Sequence, residues 1–235
     1  GRYIAGVAAG LKLQEMIDAG TVDAENVKVG YVGAFTYAEV ISGYTSWFLG
    51  VRSVVPQATM EVTFTGSWYD ETGEKEAANT LISNGCVLIS QHADSMGAPT
   101  ACETAGVPDV TYNVSTEEAC PNTFIIHSRI NWAPYIVYAV KATLAGETIP
   151  ADWVGTIASG SVEVGAPGAA AAEGTAEKLA EVQAKIESGE IHVFDCSTFT
   201  VNGETLTAES NEHVVDGYFA ESVSQSAPYF DMTID

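Results

Sequence analysis

The chain has 235 residues, 46% hydrophobic and only 17% charged, a balance that supports a packed globular fold and excludes a disordered one. Against 9 Lys and Arg stand 31 Asp and Glu, for a formal net charge of −22, so a phosphate backbone is repelled and nucleic acid is excluded as a partner. No apolar run approaches the ~20 residues that a membrane-spanning helix needs.

Residues 2 to 19 carry Ile4, Val7, Ala8, Leu11 and Met16 at helical spacing and end at Gly20, a C-cap residue. The chain thus opens inside a helical pattern, which predicts a further segment upstream. Val27 to Val32 predicts a buried strand ending at Gly33, and Ala38 to Val54 a helix stopped by Pro56. Thr59 to Thr65 is β-rich, Glu71 to Ser83 is helical, and Gly85 to Ser95 is an apolar strand that ends in polar side chains. A helix from Ser95 to Ala105 and a strand from Val107 to Tyr112 follow. Strands alternating with helices of this length predict right-handed βαβ units and an α/β fold with a parallel sheet flanked by helices.

Beyond that repeat, Thr123 to Arg129 reads as a strand, Asn131 to Leu144 as a helix with Pro134 in its first turn, and Trp153 to Val164 as a Gly-rich loop with a short strand. Ala169 to Ser188 predicts an Ala-rich amphipathic helix, Ile191 to Cys196 a strand, and Phe199 to Leu206 a hairpin around Asn202-Gly203. The tail from about Val214 is aromatic enough to be packed down.

In a parallel sheet, ligands sit outside the carboxyl ends of the strands, where strand-to-helix turns converge. The four ends here are Gly33-Ala34-Phe35, Ser67-Trp68-Tyr69-Asp70, Gln91-His92-Ala93-Asp94-Ser95 and Tyr112-Asn113-Val114-Ser115. Gln91, His92, Asp94 and Ser95 form one wall of the expected small-molecule pocket. Trp68, Tyr69 and Trp132 are rings able to stack on a flat heterocycle. Asp70 and Asp94 can accept hydrogen bonds from a ligand, and each stands equally well where an Asp caps a helix. Trp47, Trp153, His127 and His192 are expected to be structural.

The chain lacks the nucleophile elbow Gly-x-Ser-x-Gly, the P-loop and Gly-x-Gly-x-x-Gly, so hydrolase and nucleotide-phosphate chemistry lose their usual signatures. No cofactor is expected. His92 and Asp94 have no third ligand at metal spacing, and Cys86, Cys102, Cys120 and Cys196 form no Cys-x-x-Cys, so no metal site is expected. Cys86 and Cys196 read as buried thiols; Cys102 and Cys120 flank one short strand, and whether they pair stays open.

Tyr3-Ile4-Ala5-Gly6, Lys28-Val29-Gly30-Tyr31-Val32-Gly33, Gly66-Ser67-Trp68-Tyr69-Asp70, Gln91-His92-Ala93-Asp94-Ser95, Asn131-Trp132-Ala133-Pro134-Tyr135 and Ser226-Ala227-Pro228-Tyr229-Phe230, in this order, resemble the basic membrane protein family. These are substrate-binding lipoproteins of ABC importers, related to purine nucleoside receptors. The resemblance implies a type I periplasmic-binding fold whose two lobes close on a purine nucleoside or nucleobase. Trp68 and Trp132 would then stack on the base, and Asp70, Gln91, His92, Asp94 and Asn113 would supply its hydrogen bonds. Asn113 and Cys86 each stand where relatives more usually carry Asp.

On this resemblance residues 1–122 are the second lobe, 123–160 the hinge return with first-lobe elements, and 161–235 the remaining hinge-crossing elements, helix, hairpin and packed tail. Most of the first lobe is expected outside this chain, and either that segment or another chain should cover residues 123–146. The implied function is solute capture outside the cytoplasm, by a lipid-anchored protein that delivers ligand to a membrane permease without chemistry. The alternatives are a sensor of the same fold that signals to a membrane partner and, as a different class, a nucleoside hydrolase using Asp70, His92 and Asp94.

Overall fold

In the computed structural model, which describes residues 1–221 and 228–235, the β-rich and helix-periodic stretches alternate as expected. The order is α1 (Arg2–Asp18), β1 (Lys28–Gly33), α2 (Ala38–Arg52), β2 (Thr59–Phe64), α3 (Glu71–Ser83), β3 (Ile89–His92), α4 (Gly97–Ala105), β4 (Asp109–Tyr112), β5 (Phe124–Ile130), α5 (Ala133–Ala145), β6 (Val162–Val164), α6 (Thr175–Glu187), β7 (Val214–Val215) and β8 (Tyr218–Phe219).

The first six strands form one sheet in the order β2-β1-β3-β4-β5-β6. All its neighbours are parallel except β6, which runs antiparallel to β5. After β1 the chain moves to one side to make β2 and then returns to the other side to make β3. The strand order therefore reverses between β1 and β3, and their carboxyl ends leave the crevice in which such sheets bind ligands.

One face of the sheet is covered by α1, α2 and α6, whose Ile4, Leu13, Trp47, Val51 and Leu179 pack with Val29, Leu88 and Ile125. The other is covered by α3 and α4, with Ala78, Leu81, Ala98 and Cys102 against Val32 and Ile89. Helices α1 and α2 approach to backbone contact: a Cβ on Gly6 would strike the carbonyl of Trp47, and one on Gly50 that of Tyr3. Burial on both faces explains why β1, Lys28 apart, reads as a continuous apolar run and not an alternating one.

Several boundaries depart from expectation. The Ala-rich helix begins only at Thr175, because Gly174 takes the left-handed conformation and the preceding chain is tied to the sheet through a Gly168 N–H to Ile125 carbonyl bond of 2.8 Å. Ile191 to Cys196 makes no strand; Asp195 turns the chain by accepting the Ser197 N–H at 2.9 Å and forms a single bridge with Tyr218. The Asn202-Gly203 hairpin is a tight turn closed by one Val201–Glu204 pair. A second turn of the same kind, Asp216-Gly217 between β7 and β8, was not anticipated.

The tail is packed as expected, with Phe230 fully buried among Phe194, Phe199 and Phe219; Ser226 and Ala227 of the tail motif lie outside the described residues. All four cysteines are free and buried, so Cys102 and Cys120 are unpaired.

Within residues 123–146, the strand and the helix differ in how far the rest of the described chain covers them. Strand β5 pairs along β4 and buries Phe124, Ile125 and Ile126. Helix α5, by contrast, buries only Ala142 and exposes Ile136, Val137, Val140 and Leu144.

Candidate functional site

At the crevice, β1 and β3 run in register with Gly33 opposite His92, and the Ala34 N–H donates to the His92 carbonyl at 3.1 Å. The loop after β2 joins them: the Asp94 N–H donates to the Trp68 carbonyl at 2.8 Å. Beside this seam lies a cavity of about 260 Å³. Trp68, His92, Asp94, Tyr112 and Asn113 reach it from the strand ends, Glu39 from the first turn of α2, and Ile130 and Trp132 from the junction of β5 and α5. It opens into a wider groove of about 1140 Å³ that continues past Arg2, Ser42, Tyr135 and Trp153.

The rings at the cavity are exposed, unlike the indole of the core. Trp47 is fully buried, whereas Trp68 is 36% and Trp132 62% exposed. Phe35 supports Trp68 edge-on at 5.4 Å between centroids, and Tyr112 meets His92 edge-on at 4.6 Å. Across the groove Trp132, Tyr135 and Trp153 form a second aromatic run, so Trp153 lines the groove instead of filling the core. Asn131 fixes the start of that run, its Oδ1 accepting the Ala133 N–H and its Nδ2 donating to the Gly160 carbonyl. His192 lies outside the core as well, stacked on Tyr218 at 3.7 Å.

His92 is buried, and burial together with the neighbouring Arg2 cation pushes its pKa down to about 3. Its Nε2 stands 3.8 Å from Glu39 Oε1, too far for a hydrogen bond, so the pair is a neutral imidazole beside a carboxylate and not an ion pair. The ring is confined from behind by α2, where a Cβ on Gly43 would lie 2.8 Å from His92 Nδ1. The cavity thus offers ring faces, a neutral imidazole, an amide and the carboxylates of Glu39 and Asp94.

Of the residues expected at the site, Trp68, His92, Asp94, Asn113 and Trp132 converge on the cavity. Four others do not line it. Asp70 caps α3, its Oδ1 accepting the Gly73 N–H at 3.0 Å while Glu74 accepts the Asp70 N–H at 3.1 Å. Ser95 is turned inward, its Oγ accepting the Gly97 N–H at 3.0 Å. Gln91 is buried on the alternate side of β3, and Tyr69 points to solvent at 66% exposure. Asp70 therefore stays with its helix and does not join His92 and Asp94 at the cavity.

Glu39, Tyr112 and Arg2 were not among the expected site residues. Glu39 carried a usable signal, as an acid in the first turn after the strand at the switch point. Arg2 carried none, since nothing local predicts that an Arg opening an apolar helix lies against the third and fourth strands.

The fold is an open α/β sheet with a cavity at the point where its strand order reverses. The sequence matches the family described as ABC transporter substrate-binding protein, PnrA-like, over residues 1–196, and the chain belongs to that family. It is 28% identical over 94% of its length to a putative ABC transporter glucose-binding protein of Haloferax volcanii, covering 54% of that relative. It is 30% identical over 83% of its length to a purine-binding protein of Brucella abortus, covering 52% of it. The chain spans about half the length of these curated relatives. Among solved structures, an ABC transporter solute-binding protein from Conexibacter woesei superimposes with a TM-score of 0.62 at 21% identity, over 81% of this chain and 61% of that one. Among the described residues, no helix is long and apolar enough to cross a membrane.

Proposed function

We propose that this chain is the ligand-contacting part of an extracytoplasmic receptor that captures a purine nucleoside or nucleobase for an ABC permease and performs no chemistry on it. The observation that carries the proposal is the cavity itself, in which Trp68 and Trp132 offer exposed ring faces beside His92, Asn113, Asp94 and Glu39 at the switch point of the sheet. A planar heterocycle stacks on such faces, and its ring nitrogens and exocyclic groups pair with a neutral imidazole and an amide. The carboxylates accept from an exocyclic amine or from ribose hydroxyls. The relative named as purine-binding supports the base; the one named as glucose-binding supports a sugar, which rings and carboxylates also hold.

In the whole protein, residues outside this chain cover the apolar face of α5, and a lipid anchor holds the receptor at the membrane. An intact source protein of 24.7 kDa that is stable as a monomer would contradict that cover. Calorimetric titration of the full-length receptor with adenosine, guanosine, inosine, adenine and glucose tests the ligand class. Heat of binding from at least one purine is expected; binding of glucose alone would transfer the site to sugars, and heat from none would end the proposal.

A further inference from the structure

Arg2 is a buried cation without a counter-ion. It is 9% exposed, and among the described residues no carboxylate pairs with it. Burying an unpaired guanidinium is unfavourable unless other groups accept its charge. Here those groups belong to the wall of the site. Its Nη2 donates to the Tyr31 hydroxyl on β1 and, at 3.1 Å, to the Gln91 carbonyl on β3. Its guanidinium carbon lies 4.8 Å from the ring centroid of Tyr112 on β4 and 5.2 Å from that of Tyr31, within cation–π range. Among the described residues its Nε and Nη1 have no hydrogen-bond partner, and the ring contacts hold that side.

Resting on the ligand site proposed above, we propose that Arg2 is its positioning residue, pinning Tyr112 and the Gln91 peptide from behind so that Tyr112 holds His92 in one orientation toward the cavity. The chain of contact is direct: Arg2 lies over Tyr112, Tyr112 meets His92 edge-on, and Gln91 is the residue before His92 on β3. The arrangement also sets charge. His92 is faced by Arg2 from α1, Glu39 from α2, Trp68 and Asp94 from the loops after β2 and β3, and Tyr112 from β4. Burial first, and then the Arg2 cation, oppose the imidazolium, and His92 stays neutral. His92 Nδ1 is buried against α2, so Nε2 is the nitrogen left to meet a ligand; on a neutral imidazole it can donate or accept according to the tautomer, whereas on an imidazolium it can only donate.

The test uses the full-length receptor with Arg2→Met and Arg2→Lys, each first checked for a cooperative unfolding transition. His92 is followed by imidazole NMR in the absence of ligand, and affinity is measured with the purine that the wild type binds. In the wild type His92 should remain neutral down to about pH 4. In Arg2→Met its titration should move up by about one pH unit or more, still short of a free histidine because burial remains, and affinity should fall at least tenfold and weaken further as pH drops. Arg2→Lys keeps the cation but loses the planar face; His92 should stay neutral while affinity falls several-fold.

An Arg2→Met protein with unchanged His92 titration and unchanged affinity overturns the proposal. If Arg2→Met does not fold, Arg2→Lys decides: wild-type affinity there refutes the pinning. A wild type that binds no purine refutes the ligand class instead, and the NMR titration then still decides whether Arg2 governs His92.

Discussion

Asp109 opens β4 at the sheet edge opposite the cavity, 3% exposed, with its Oδ1 lacking a partner among the described residues. Burial raises its pKa from 3.8 to about 7, against a hydrogen bond from Thr123 that lowers it and with a small further push from the Glu103 carboxylate. The sign follows from proton counting. Below pH 3.8 the carboxyl is neutral whether the chain is folded or not; between there and pH 7 the unfolded chain gives up a proton that the folded one keeps, so stability falls as pH rises. Above pH 7 both states are ionised and the fold carries the full cost, about 4 kcal/mol at 1.36 kcal/mol per tenfold. Asp109→Asn removes the titration but buries amide hydrogens with no assured acceptor, a loss of about 1–3 kcal/mol. At pH 8 the variant should therefore be the more stable by about 1–3 kcal/mol, or several degrees in Tm at this chain length, and at pH 4 the less stable. Urea unfolding of both proteins from pH 4 to 8 reads the difference, in which the charge common to the two cancels. Two parallel stability profiles with no crossing would refute the reasoning.

Asp70→Ala should lower stability by about 1 kcal/mol through loss of the α3 cap while changing ligand affinity less than twofold, and Asp70→Ser should recover most of that stability in thermal melts; a large loss of affinity would return Asp70 to the site. Gly43→Ala drives a Cβ against His92 Nδ1 and should weaken ligand binding at least tenfold by calorimetry, with the fold retained by circular dichroism; undiminished affinity would show that His92 is not needed where it stands. At a net charge of −22, raising NaCl from 0.1 to 2 M should raise Tm by several degrees as self-repulsion is screened, and a flat or falling Tm would contradict this.

The parallel sheet was legible because β1, β2, β3 and β4 are short apolar or β-rich runs set off by helices with clear stops, as at Gly20 and Pro56. Sheet order was not, since nothing in a strand's sequence states its neighbour. The same limit applied at the site. His92, Asp94 and Asn113 follow strands and could be placed on the carboxyl edge, and Trp68 and Trp132 could be placed at element starts. Whether a residue near that edge faces ligand or its own backbone depends on a rotation that sequence does not record, so Asp70 and Ser95 serve the first turns of α3 and α4 instead. Arg2 lies 89 residues from the Gln91 carbonyl it holds, and only the folded sheet brings them together. The Ala-rich start expected for α6 and the strand expected at Ile191 failed for a related reason: local propensity yielded to Gly174 and to the Asp195 turn.

The cavity as a seat for a planar base is tested most directly by a crystal structure of the full-length receptor with adenosine. The base should lie within stacking distance of Trp68 or Trp132, roughly 3.5–4 Å, with a polar edge toward His92 and Asn113. An adenosine bound elsewhere on the protein, with these rings in contact only with solvent, would contradict the central claim.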